Sequence, residues 1–321
     1  MSSLIFSKFT VCRLSFLLFL FLYFSVLFFL GGESVPDREN YIIFFKDPAS
    51  SRFEPLFKAW GEVLLFLRVD SFIALYLTAA SAFVFSFLVC SSVFREHFKF
   101  LVFFGFVFFA FLSVFSFVQI RASISLWIGL YLFLKFFNSG KKRYIFFLIC
   151  MPFIHFLMAP FVLATIYLAI FRRIGLFECV LVFCVLVLTV VGYESFVGLI
   201  PHGDYYGQYF GGVLMNKIWL SSTVICYFLM VFFAVYFSIL FDIRLSELER
   251  FSFVGFPLVL VGYFSGIDLF VKFAAPFMFL SAIFFFRRLF SVKGDVNNRF
   301  AMIAISTMLI ATITYPIFKY V

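Results

Sequence analysis

The chain has 321 residues, 65% of them hydrophobic and 24% aromatic, with Phe at 60 positions and a formal net charge of +9. In a soluble chain that charge would point to a polyanion such as nucleic acid; here segment after segment holds the roughly 18 apolar residues that a membrane span needs, so the basic excess belongs to loops and no nucleic-acid partner is expected. The apolar runs lack the alternation of barrel strands, which leaves an all-α, polytopic integral membrane protein forming a single domain over residues 1–321.

From the N-terminus, Lys8 and Arg13 precede an apolar run from Leu14 to Leu30. A cleaved signal peptide is the competing reading, but the run is long and no small-residue cleavage site follows, so it is the first span, entering from the cytoplasm. Residues 31–70 are too polar to cross and form the first external loop. Its second half predicts a helix: Glu54 stands as N-cap, Pro55 suits the first helical position, and Leu56, Phe57, Trp60, Val63, Leu64 and Leu67 recur at helical spacing. Such a helix fits the outer leaflet, and it equally fits a surface helix in a solvated loop.

Further spans are expected at 71–94, 100–118 and 122–137, separated by Arg95 to Lys99 and by a short link, Gln119 to Ala122. The link puts Arg121 at the outer ends of two helices, while Lys135, Lys141, Lys142 and Arg143 anchor the inner end of the second. Residues 144–171 are long enough for one tilted span but divisible at Pro152, His155 and Pro160 into a short helical hairpin. A hairpin leaves 16 basic residues inside against 9 outside, whereas a single span inverts everything downstream and gives 11 against 14. The positive-inside rule therefore favours the hairpin.

A span at 175–193 leads to a second external loop, 194–217, which holds His202, Asp204, Tyr205, Tyr206, Gln208 and Tyr209 between glycines. That composition suits sugar rings and equally an ordinary interfacial aromatic belt. Spans at 219–241, 251–270, 273–286 and 300–318 complete about eleven helical crossings, with internal loops at 242–250 and 287–299 and the C-terminus outside. Gly262 and Gly266 make a helix-packing face, and Asp268 and Lys272, four apart near the outer end of their span, are placed to pair. Cys12, Cys90, Cys150, Cys179, Cys184 and Cys226 fall in or beside apolar runs without a C-x-x-C or a His at ligand spacing, and read as small core residues.

The motif search is mostly negative: no phosphate loop, no H-E-x-x-H, no G-x-S-x-G, no D-x-D pair for a divalent ion. Neither a metal nor a cofactor is expected. What the topology gathers at the outer face is Arg52, Glu54, Arg121, His155, His202 and Asp204. A charge at membrane depth costs roughly 2.5 to 3.5 kcal/mol on insertion scales, which marks these as candidate site residues. The bland alternatives are a snorkelling anchor for Arg121 and a core histidine bonded to a carbonyl for His155.

Asp37-Arg38-Glu39-Asn40-Tyr41, Ser51-Arg52-Phe53-Glu54-Pro55-Leu56-Phe57, Arg121-Ala122-Ser123-Ile124-Ser125, Lys141-Lys142 and Phe153-Ile154-His155-Phe156 follow one another in an order and spacing that resembles the EpsG-like branch of the Wzy-type polysaccharide polymerases. The likeness spans about residues 37 to 170; where an arginine is expected near residue 272, this chain has Lys272. The resemblance implies a glycosyltransferase of the bacterial inner membrane, joining undecaprenyl-diphosphate-linked oligosaccharide repeats at the periplasmic face for O-antigen, capsule or exopolysaccharide, with membrane lipid and a chain-length regulator protein as further partners. Under it, Arg121 holds the diphosphate with Arg52 as helper, and His155 or Glu54 is the general base, histidine preferred because its unperturbed pKa is about 6.5. Asp37, Tyr41, His202, Asp204, Tyr205 and Lys272 are then the substrate-binding set. A lipid-linked oligosaccharide flippase and an O-antigen ligase are the alternatives.

Overall fold

The computed structural model describes residues 16–22, 38–94, 96–107, 120–171, 245–265 and 268–291, together with isolated helical positions between 178 and 239. Among the described residues there is no strand, and all regular structure is helical. The expected spans at 14–30, 175–193, 219–241 and 300–318 and the loop at 194–217 lie wholly or largely outside them. The chain divides into two compact units, Met1–Phe156 with Ile313–Val321, and Leu157–Thr312.

The first unit contains α1 (Arg38–Lys46), α2 (Pro55–Phe66), α3 (Ser71–Val93), α4 (His97–Val107), α5 (Ile120–Ser139), α6 (Arg143–Ile149) and a 3₁₀ turn, Met151–Phe153. Helix α2 begins where the sequence places it. Pro55 occupies the first turn, where its missing N–H is no loss, and Glu54 before it is extended at φ −64°, ψ 150°. The Glu54 side chain makes no capping bond to α2. A four-residue connection with Arg68 at φ 55° leads to α3, whose first turn is capped by Asp70 accepting from the Phe72 amide at 2.9 Å.

Helices α3 and α5, of 23 and 20 residues, are long and apolar enough to cross a membrane, and they pack against each other. The buried side of α3 carries Ala74, Thr78, Ala79, Ala82 and Ser86, small residues that let a neighbouring backbone approach. Thr78 and Ser86 return their hydroxyls to carbonyls of their own helix at 2.6 and 2.7 Å, so neither asks for a partner in the apolar layer. One expected boundary is corrected. Ile120, Arg121 and Ala122 are the first turn of α5 and not a loop link. An apolar-run criterion stops at any charge, whereas a helix continues through a charge that finds a buried partner.

The stretch 144–171 is broken as expected: α6, the turn Met151–Phe153, a second 3₁₀ turn at Phe156–Met158, and α7 (Ala159–Phe171). At 1.5 Å per residue the two helices are about 10 and 20 Å long, and neither alone reaches across roughly 30 Å of hydrocarbon. The second unit continues from α7 with α8 (Glu247–Ser252), α9 (Gly255–Ser265) and α10 (Asp268–Ser291). Helix α8 lies where a loop was expected, closed by a capping box: Ser246 accepts from the Glu249 amide at 3.3 Å, and Glu249 accepts from the Ser246 amide at 2.7 Å. Helix α10 also overruns its expected end into the loop assigned from Arg287, as far as Ser291. Phe161, Phe251 and Phe277 form its aromatic core, ring centroids 5.3 to 5.6 Å apart. Beside them Tyr227 donates to the Ser252 carbonyl at 2.6 Å, and Ser281 to the Ser252 hydroxyl at 3.0 Å.

Candidate functional site

Because Glu54 precedes α2 in extended conformation and does not cap it, its carboxylate is directed elsewhere. It forms an ion pair with Nη1 of Arg121 through Oε2, both residues being only 8% exposed. Its Oε1 accepts from the backbone amide of Phe156 at 3.4 Å. One side chain thus joins segments 67 and 102 positions away: the first turn of α5, and the break between α6 and α7.

The guanidinium plane is set from a second direction. Arg121 Cζ lies 3.7 Å from the ring centroid of Phe53 and 6.0 Å from that of Phe57. Phe53 in turn packs in an aromatic cluster with Tyr41, Phe44 and Phe57, centroids 4.9 to 5.9 Å from its own. The cluster closes over Gly61, where any Cβ would stand 2.6 Å from Phe44 Cζ; glycine here is a matter of space. A desolvated cation–π contact contributes about 2 kcal/mol, and loss of one partner from a buried pair costs about 3 to 5 kcal/mol. The guanidinium is therefore held on one edge by a carboxylate and on one face by a ring, the reverse of a snorkelling side chain.

The remaining candidates distribute as follows. His155 is half-buried, one residue before the amide that Glu54 holds, and its own amide donates to the Met151 carbonyl at 3.0 Å. Arg52 is exposed and makes no ion pair among the described residues. Tyr41 is buried at 4%, its ring against Phe53 and Phe57. Ser123 and Ser125 are wholly buried, and the Ser125 hydroxyl returns to the Ala122 carbonyl of its own helix at 3.0 Å. Lys272 is half-buried on α10 in the second unit. Asp37, His202, Asp204 and Tyr205 lie outside the described residues. Among the described residues no three His, Cys, Asp or Glu side chains gather to hold a metal.

Sequence reasoning gave Phe53 and the Phe156 amide no role. Phe53 had a signal, an aromatic ring between two ionisable neighbours in Arg52-Phe53-Glu54. The amide had none, since any backbone carries one.

The chain matches the EpsG family over residues 16–320 and belongs to it; the family is one of Wzy-like polymerases. No curated protein and no solved structure matches the chain.

Proposed function

We propose that this EpsG-family chain is a polysaccharide polymerase of the bacterial inner membrane. It transfers a polyprenyl-diphosphate-linked glycan onto the next lipid-linked repeat at the periplasmic face, without a divalent metal. The observation that carries this reading is the buried Glu54–Arg121 pair stacked on Phe53. A buried ion pair is weak evidence for stability, so its presence asks for a chemical reason.

In the reaction a hydroxyl of the incoming repeat attacks the anomeric carbon of the glycan held by the donor lipid. The new C–O bond forms as the bond from that carbon to diphosphate breaks, the hydroxyl proton passes to a base, and polyprenyl diphosphate leaves. The leaving group needs charge stabilisation more than a proton, and a guanidinium of fixed plane supplies it from preorganised N–H donors. Arg121 takes that role, with Arg52 as a second cation. The base is His155 rather than Glu54, because both Glu54 oxygens are already engaged by Arg121 and by the Phe156 amide. Glu54 is the counter-ion that positions Arg121. Sugar contacts fall to Asp37, His202, Asp204 and Tyr205 on the two expected external loops and to Lys272, with Tyr41 behind Phe53. In this topology the chain crosses about eleven times, with the hairpin at 144–171 opening toward the cytoplasm.

The test is purified protein in liposomes with lipid-linked repeats and excess chelator. Polymer should form, and Arg121→Ala should lower the rate by about two to three decades, the cost of one electrostatic contact at the reacting centre. Arg121→Lys should recover part of it, since ammonium lacks the planar fork. Polymer lost on chelation and restored by Mg²⁺ would overturn the metal-free assignment. The broken helix at 150–158 also suits a transporter, in which irregular backbone lines a substrate path. A gene-deletion glycan profile separates the readings: single-repeat caps mean a polymerase, and no surface repeats mean a flippase or a ligase.

A further inference from the structure

Helix α2 has three faces. Phe57, Gly61 and Leu64 are buried against the rest of the unit. Lys58 and Glu62 lie together on another side, with Leu65 and Phe66, also exposed, beside them in the last turn. Between these faces runs a wholly apolar stripe of Leu56, Trp60, Val63 and Leu67, which are 41, 39, 49 and 62% exposed. At 3.6 residues per turn the spacing of the four, +4, +3 and +4, keeps them on one line.

Two observations say what environment the stripe meets. The Trp60 indole N–H turns inward and donates to Thr78 Oγ1 at 3.0 Å, so the part of the ring left exposed is hydrocarbon. Thr78 is the eighth residue of α3, about 10 Å along that helix from its start; with that start at the outer surface, as the proposed topology has it, the contact sets α2 at the depth of a helix bedded about 5 to 10 Å into an interface. A third observation says what lies at the head of the stripe. Leu56 is two residues from Glu54 and its buried partner Arg121, and Arg52, exposed and without an ion pair among the described residues, stands just before them. From Leu56 to Leu67 the stripe is about 16 Å long.

We propose that this stripe is the binding track for the polyprenyl chain of the lipid-linked substrate, with Arg52 making the first contact to its diphosphate. The inference deepens the polymerase reading and rests on it. Bulk phospholipid also carries an anion above hydrocarbon and would wet the same surface; the polyprenyl diphosphate is favoured because the stripe runs away from Arg52 as one line about 16 Å long, which fits a single long chain, and its diphosphate offers that cation more charge than a phosphodiester.

The experiment uses the full chain in phospholipid vesicles with a polyprenyl diphosphate carrying a photoreactive group on its isoprenoid. Adducts on residues 56, 60, 63 or 67, competed by unlabelled polyprenyl diphosphate and lost in Arg52→Ala, are expected. Competable adducts confined to other helices, or stripe adducts displaced equally by added phospholipid, overturn the track and leave the polymerase reading standing. No competable adduct anywhere on the chain overturns that reading itself. In kinetics, Val63→Ser with Leu67→Ser, at the far end of the stripe, should raise KM for the full-length lipid about tenfold, leave kcat unchanged, and leave KM for a two-isoprene analogue where it was. An equal change for both substrates would remove the chain contact.

Discussion

Exchanging Glu54 for Leu strips a buried guanidinium of its counter-ion and a backbone amide of an acceptor. With Arg121 only 8% exposed, solvent cannot replace the carboxylate, and the expected loss of stability is about 3 to 5 kcal/mol for the orphaned charge. The Phe156 amide adds about 1 kcal/mol. Arg121→Met alone should cost a similar 3 to 5 kcal/mol, because the Glu54 carboxylate is then the uncompensated charge. Combining the two removes both charges and leaves hydrocarbon of similar volume. The double variant should come back to within about 1 kcal/mol of the parent. Activity should not return, since in the proposed mechanism the diphosphate is held by that arginine. Thermal unfolding of purified protein in one detergent, followed by tryptophan fluorescence, gives the cycle. Single variants within about 0.5 kcal/mol of the parent, or a double variant as unstable as the two losses added, would refute the reasoning and put the pair among exposed ones worth about 0 to 1 kcal/mol.

Phe53→Leu removes the ring 3.7 Å from the guanidinium while keeping the residue apolar, and should lower kcat about tenfold together with a loss of stability of about 2 kcal/mol from the missing cation–π contact. Phe53→Tyr should stay near wild type, and a Leu variant with full kcat would show that Glu54 alone fixes the plane. Reporter fusions placed after Arg143 and after Arg173 should both score cytoplasmic, as a hairpin between them requires; opposite locations would invert the downstream topology.

What could be read in advance was local. Glu54-Pro55 starts a helix because proline has no amide to lose, and Pro152 with Pro160 breaks the stretch 144–171. Each cause lies within four residues of its effect. The capping box Ser246-x-x-Glu249 is local too, but it lies in a stretch whose charge density reads as a loop. The meeting of Glu54 with Arg121 is different in kind. Hydropathy gathered both at the outer face but could not pair them across 67 positions, nor choose between a paired arginine and one snorkelling to the surface.

The ion pair and the broken helix are one object. In an apolar surround every backbone amide needs an acceptor, and a break in a helix releases amides that the helix would have satisfied. At Phe156 the acceptor is Glu54, whose other oxygen holds Arg121. The break is thereby tied to the arginine, and His155, one residue earlier, takes its place relative to the guanidinium from a carboxylate 101 positions away. Any anion that competes with Glu54 for Arg121 must also loosen the Phe156 amide, and with it the backbone of His155. With Arg121 and His155 in the roles proposed above, binding of the leaving group and placement of the base are coupled through a single side chain. Shortening it in Glu54→Asp should disturb both together, with KM rising and kcat falling in the same variant.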